Sequence, residues 1–340
     1  MSYANEAELE DALSAPSPAL LDALRATPGD ILVLGAAGKM GPTLARMVQR
    51  ALDTLGRHDR AIAASRFSSA GAEQPLRDAG IETVRCDLLD RGAVAALPDA
   101  PNVVFMAGQK FGTSEAPSST WAMNVVLPAI VAERYAASRI VAFSTGNVYP
   151  LSAVHGSGSR ESDAPAPVGE YAMSCLGRER VFEDAAARRG TRVAIVRLNY
   201  AVDLRYGVLV DIASRVLRGE PINLGMGHVN VIWQGDANDW ALRCLAHANA
   251  SPFIVNVTGR ETLAVRALAT RFGELFGRAP AFVENEAPDA LLSNATLAHA
   301  MFGPPTVSTD TLVEWVAAWV QAGHPLLGKP THFEERTGAF

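Results

Sequence analysis

The stretch Ile31-Leu-Val-Leu-Gly35-Ala-Ala-Gly38-Lys39-Met40-Gly41 constrains this chain more than any other. Four apolar residues, partly β-branched, run straight into three glycines spaced three apart. An apolar run of this length suits a strand buried on both faces, as in a parallel sheet. Met40, Leu44, Met47, Val48, Ala51 and Leu55 then recur at helical spacing. The glycines therefore fall on a strand-to-helix turn, where glycine can take positive φ and let the backbone approach a ligand closely. The first free N–H groups of the helix point at an anion there, with the helix dipole behind them. A dinucleotide pyrophosphate fits such a turn, and so does a tight connection with no ligand; the order strand, turn, helix favours the first. Gly35, Ala37, Gly38, Lys39, Met40 and Gly41 are the candidate contacts.

Further apolar runs follow at Arg60–Ser65, Ile81–Cys86, Asn102–Ala107, Ile140–Phe143 and Arg192–Leu198, with helical patterns between them. The longest helical patterns span Pro117–Ala137 and Tyr171–Arg189. This alternation predicts a doubly wound parallel sheet with helices on both faces, an α/β fold of the Rossmann type. The expected organisation is a helical extension over 1–28, a dinucleotide-binding domain over 29–200, a smaller, partly interwoven substrate lobe over 201–325 and a tail over 326–340. The extension is expected to pack at the edge of the first strand, and the tail to be loose or to dock on a partner subunit. In such a sheet ligands bind at the carboxyl ends of the strands. Those ends carry Ser65-Arg66, Asp87-Leu88, Met106-Ala107-Gly108 and Ser144-Thr145. An acidic residue after the second strand would hold the ribose 2′-hydroxyl of NAD. Ser65 and Arg66 suit a 2′-phosphate instead, so NADP is the expected cofactor, with NAD possible. Asn124 falls in a helix interior, a poor place for asparagine unless it has a specific partner.

Together these motifs resemble the extended short-chain dehydrogenase/reductases, of the NAD-dependent epimerase/dehydratase kind, over about residues 29–320. The resemblance is carried by Gly35-x-x-Gly38-x-x-Gly41, Asp87-Leu88, Met106-Ala107-Gly108, Asn124, Ser144-Thr145-x-x-Val148-Tyr149, Tyr171 and Asn199, in that order. Ala107-Gly-Gln-Lys110-Phe-Gly resembles the loop of sugar-nucleotide 4-epimerases that also bears a lysine. The resemblance implies that Tyr171 is the general acid/base, with Thr145 as its hydroxyl partner and Ser144 lining the nicotinamide. It also implies a structural or relay role for Asn124, substrate-side positions for Lys110 and Asn199, and a homodimer formed through the two long helices.

Two positions depart from the family. A lysine normally stands four residues after the tyrosine, where its charge lowers the tyrosine pKa from its usual ~10. This chain has Cys175 there. Three readings stay open: another cation serves, with Lys110 and Arg178 as candidates; the chemistry needs no strongly acidified tyrosine; or the protein binds the dinucleotide without turnover, as a sensor or regulatory protein. Cys175 itself reads as a small packed side chain. The second departure is Leu224–Trp233, which lacks the arginine expected to hold a substrate diphosphate. It favours a small hydroxy or carbonyl compound over a nucleotide sugar, with Arg205 a possible anion contact.

Composition removes other classes. The net charge of −6 and the absence of a basic run argue against a nucleic-acid partner. No apolar stretch approaches the ~20 residues of a membrane helix. Glu6, Glu8, Glu10 and Asp11 are unlike a targeting peptide, and three scattered cysteines suit a reducing cytoplasm. The seven histidines show no metal-ligand spacing. Only three lysines, Lys39, Lys110 and Lys329, stand against 27 arginines.

Overall fold

The computed structural model describes residues 3–329 and 331–339. Seven parallel strands form the central sheet: β1 (Ile31–Leu34), β2 (Ala61–Ser65), β3 (Glu82–Arg85), β4 (Asn102–Phe105), β5 (Arg139–Thr145), β6 (Arg192–Leu198) and β7 (Phe253–Val257). Their order is β7-β6-β5-β4-β1-β2-β3. Ile31 thus pairs with Ala61 on one side and Asn102 on the other. The chain reverses direction across the sheet at β1, which opens a crevice beyond the ends of β1 and β4. All four residues of β1 are buried, as an all-apolar central strand requires.

The helices that matter for the site are α1 (Glu6–Leu13), α2 (Pro18–Arg25), α3 (Gly41–Thr54), α4 (Leu127–Arg134), α5 (Gly169–Arg189), α6 (Val208–Arg218), α7 (Gln234–Arg243), α8 (Val265–Phe276) and α9 (Thr309–Gln321). Apolar residues of α3 pack beneath the sheet with α2 and α7, while Phe105, Leu127 and Phe182 fill the opposite face. A second core joins α6, α8 and α9. The strand Phe253–Val257 returns from the second lobe to pair with β6, so the two lobes are interwoven.

Three expectations change. β1 is interior, so the N-terminal helices have no strand edge to cover. Leu20 and Leu24 of α2 enter the first core, and Leu9 and Leu13 of α1 enter the second, so the extension bridges the lobes. The helix expected over 117–137 is broken by a π-helical turn at Ala122–Val126, between Pro117–Trp121 and α4. Pro128 has no N–H to offer the preceding turn, and Leu127 N donates five residues back to Ala122 O.

The described residues of the tail dock on their own chain and cross its site. Leu327 N donates to Arg205 O, and Thr331 donates from its backbone and hydroxyl to one oxygen of Asp211. Phe333 is buried in the second core, an anchor of on the order of 2 kcal/mol for a fully buried aromatic. Arg215 pairs with Glu334, and Gly338 packs against Gly169 at the start of α5.

Candidate active site

The glycine turn is built by close approach. Gly35 takes φ +85°, and a Cβ there would lie 2.6 Å from the Ala107 nitrogen. A Cβ on Gly41 would lie 2.4 Å from the Ala36 oxygen. Glycine is thus required at both positions, once for packing on the β4 loop and once for packing the helix onto its turn. Every expected cofactor residue from Gly35 to Gly108, except Lys39, Met40 and Gly41, lines one cavity of about 210 Å³. Lys39, Met40 and Gly41 line the adjoining inner cavity of about 260 Å³. This cradle fits a dinucleotide, with Asp87 and Leu88 at one end and the carboxyl end of β5 at the other. Arg66 is exposed and forms no ion pair with any described residue. It is followed by Phe67, which takes φ +47° while its ring is buried. A bulky residue in that region of backbone space is uncommon and strained.

The inner cavity brings together Ser144, Thr145, Tyr171, Asn199 and Lys110. Tyr171 shares hydrogen bonds with the Thr145 hydroxyl and the Cys175 thiol. Burial pushes the phenol far above its ordinary value and Cys175 adds to the push, while the Thr145 hydrogen bond and the Arg178 charge oppose it. Burial also raises the Cys175 thiol, against the pull of Arg178, so cysteine here is a neutral neighbour. Ser144 lines the cavity, but its hydroxyl donates to Glu179 at 2.5 Å.

Two cations flank the tyrosine. Lys110 Nζ lies 6.0 Å from the centre of the Tyr171 ring and donates to Thr331 O at 3.4 Å. Burial lowers its pKa to about 8. Arg178, one turn beyond Cys175, donates to Phe143 O at 2.8 Å and to Asn124 Oδ1 at 2.7 Å. Gly108 leaves the room: a Cβ there would lie 2.3 Å from Arg178 Nη2.

Asn124 sits in the π-helical turn, fully buried. Its Oδ1 accepts from Gln109 N and its Nδ2 donates to Gln109 O, both at 2.9 Å. Asn124 thus clamps the residue before Lys110 and bridges it to Arg178 and Ser174. Arg205 is not brought to the inner cavity. It is held by Glu6, Glu10 and Asp203, which use its charge to tie the N-terminal helix to the second lobe.

Sequence reasoning missed the support beneath the site. Arg197 makes a two-pronged, almost fully buried ion pair with Glu179 at 3.0 and 2.7 Å and donates to the Tyr149 hydroxyl. That hydroxyl donates in turn to Asn256 Oδ1. An arginine inside an otherwise apolar buried strand was the available signal, since such a charge must find a partner. Asn147, Tyr200, Tyr206 and Thr331 also line the inner cavity without having been singled out.

The model of the NAD dependent epimerase/dehydratase family matches residues 31–228. The chain belongs to that family, whose members are enzymes with a Rossmann-type, NAD-binding fold. No curated protein matches the chain by sequence. Among solved structures, MoeE5 in complex with UDP-glucuronic acid and NAD matches with a TM-score of 0.70 and 20% identity, over 87% of this chain and 100% of the other. UDP-glucose 4-epimerase of Thermotoga maritima, with UDP-glucose, matches with a TM-score of 0.69 and 18% identity, over 86% and 99%. UDP-glucuronic acid 4-epimerase of Bacillus cereus, with UDP-glucuronic acid and NAD, gives 0.71 and 16%, over 87% and 100%. At these identities the likeness is one of fold.

These structures overturn the expectation of a substrate that is not a nucleotide sugar, because proteins of this architecture hold UDP-sugars. The missing arginine in Leu224–Trp233 does not decide the substrate, because a side chain from elsewhere in the chain can reach that stretch, as Arg336 of the tail does: it donates to Gly225 O at 3.0 Å and pairs with Asp289.

Proposed function

We propose that this protein is an NADP(H)-using oxidoreductase or epimerase/dehydratase acting at a hydroxyl or carbonyl carbon of a sugar or similar compound. The carrying observation is Tyr171, hydrogen-bonded to Thr145 in a cavity continuous with the glycine turn. A bound nicotinamide dinucleotide supplies the two-electron redox chemistry. Gly35 to Gly41 and the ends of β2 to β4 would hold it. Ser65, Ser68 and the unpaired Arg66 support a preference for the 2′-phosphate, since guanidinium matches phosphate oxygens.

Tyr171 keeps its proton in the resting protein, because burial opposes the phenolate. That suits it to give a proton to a substrate carbonyl oxygen. In the opposite direction it must take a proton, and the charges of Lys110 and Arg178 stabilise the phenolate that does so. Lys110 therefore stands in for the lysine that Cys175 replaces. The test is substitution: Tyr171→Phe abolishes turnover on a panel of sugar carbonyls and keeps NADPH binding. Cofactor binding with no turnover in the unaltered protein would favour a sensor or regulatory role instead.

The same helices support a homodimer. Trp121, Val126 and Met173 are large, exposed apolar residues on the adjoining 117–134 and 169–189 segments. Cys86, Cys175 and Cys244 are buried and free, which fits a reducing, cytoplasmic setting. No helix among the described residues is long and apolar enough to cross a membrane.

A further inference from the structure

Lysine is rare in this chain, and all three copies line the same space. Lys39 of the glycine turn, Lys110 of the β4 loop and Lys329 of the tail face a cavity of about 930 Å³ outside the reaction centre. They come from elements far apart in sequence, in a protein that otherwise uses arginine for its cations. Lys39 and Lys110 also line the inner cavity with Tyr171, so the two spaces communicate at these two side chains. Arg205 and Glu10 line the same cavity but are paired with each other at 2.7 Å, and arginine elsewhere in the chain is likewise largely consumed in fixed ion pairs. An ammonium on a flexible stem can instead follow a ligand.

We propose that Lys39 and Lys110 form a subsite for an anionic group of the substrate, a carboxylate or a phosphate, with Lys329 at its outer mouth. Lys39 Nζ points away from the turn that bears it. It donates to Ala201 O at 3.1 Å and lies 4.1 Å from the centre of the Tyr206 ring. Both contacts are to residues beyond 200, and both are to neutral groups. The nearest carboxylates are already engaged: Asp203 accepts from the backbone of Arg205 and Tyr206 and pairs with the Arg205 side chain, and Asp211 accepts from Thr331. Burial, with the neighbouring charges of Arg205 and Lys110, brings Lys39 down to about 8 against the pull of Asp203 and Asp211. A bound anion relieves both costs. The tail contributes Lys329 and Thr331, and the Thr331 carbonyl that accepts from Lys110 fixes that side chain at the junction of the two cavities. That the ligand is the substrate rests on the redox reading above; that an anion binds here does not.

With only three lysines, amine acetylation reads the site directly. The unaltered protein, saturated with NADPH, is acetylated with and without glucuronate, UDP-glucuronate, inorganic pyrophosphate or glucose. Modification of each lysine is then followed by mass spectrometry. Expected is slower acetylation of Lys39 and Lys110 with at least one of the three anions, roughly tenfold at ten times its dissociation constant, and no effect of glucose. Protection by glucuronate assigns a carboxylate, and protection by pyrophosphate a phosphate. Equal labelling under all conditions overturns the proposal. So does full protection by NADPH alone, which would assign both lysines to the cofactor. Failure to bind NADPH, read separately by its fluorescence, would sink the redox reading, and the anion arms run on cofactor-free protein would still decide the subsite. Lys39→Gln and Lys110→Gln, checked for folding by circular dichroism, are each expected to abolish protection at the remaining lysine.

Discussion

Tyr171 is held as a phenol by burial and the neighbouring Cys175; the Thr145 hydrogen bond and the Arg178 charge work against that hold, and Lys110 lies 6.0 Å from the ring centre. The motif residues around it were legible because glycine turns, strand-end hydroxyls and the tyrosine are local patterns. The departure at Cys175 and the two cations weighed against it, Lys110 and Arg178, were legible too; that Lys110 comes near the tyrosine ring was not, because it arrives from the β4 loop. The lysines also give a pH signature. Lys39 and Lys110 are lowered to about 8 in the folded state, from ~10.4 in an unfolded chain. Between those values the unfolded state binds more protons, so their contribution to stability rises with pH through that window. Asp203 and Asp211 raise the Lys39 value, and Arg205 and Lys110 lower it. Urea denaturation at about pH 7.5 and 9.5 should show a smaller pH-dependent gain in Lys39→Gln than in the unaltered protein. An identical gain in both would contradict the assignment.

At the scale of elements, the strands were legible to within a residue or two, since apolar runs and intervening helical patterns are strong signals. The π-helical turn was not, because Pro128 reads only as a break or kink, and the pairing of Asn124 with Gln109 that accompanies the turn spans fifteen residues. Asn124→Ala leaves Arg178 and the Gln109 backbone without their buried partner. We expect a loss on the order of 1–3 kcal/mol and a higher KM as the Lys110 loop loosens, measured by denaturation and steady-state kinetics. The Glu179–Arg197 pair was illegible for a similar reason, since its partners lie on α5 and β6. Glu179→Ala strands the Arg197 charge and should cost about 3–5 kcal/mol, whereas a stability loss too small to measure would show that the network beneath Ser144 is not structural.

The whole molecule is two interwoven lobes closed by the C-terminal segment. The alternation announced the parallel sheet; the path of the tail was hidden, because a polar Gly/Pro-containing segment carries no periodicity to announce where it docks. Removing residues 324–340 takes away Lys329, Thr331 and the Phe333 anchor. The shortened protein should keep NADPH affinity and lose substrate affinity, and equal substrate KM in the two forms would remove the tail from the site. Sedimentation should show a dimer that Val126→Arg converts to monomer. A monomeric unaltered protein would assign the exposed Trp121 face no such role.

Calorimetric titration with NADPH and then NADH tests the central claim most directly, using the unaltered protein and Arg66→Ala. The account predicts tight NADPH binding and weaker NADH binding. Arg66→Ala should lose roughly ten- to a hundredfold in NADPH affinity, the worth of a charge-assisted hydrogen bond to phosphate, with little change for NADH. Absence of binding by either nucleotide would contradict the account, leaving the glycine turn as a packing device.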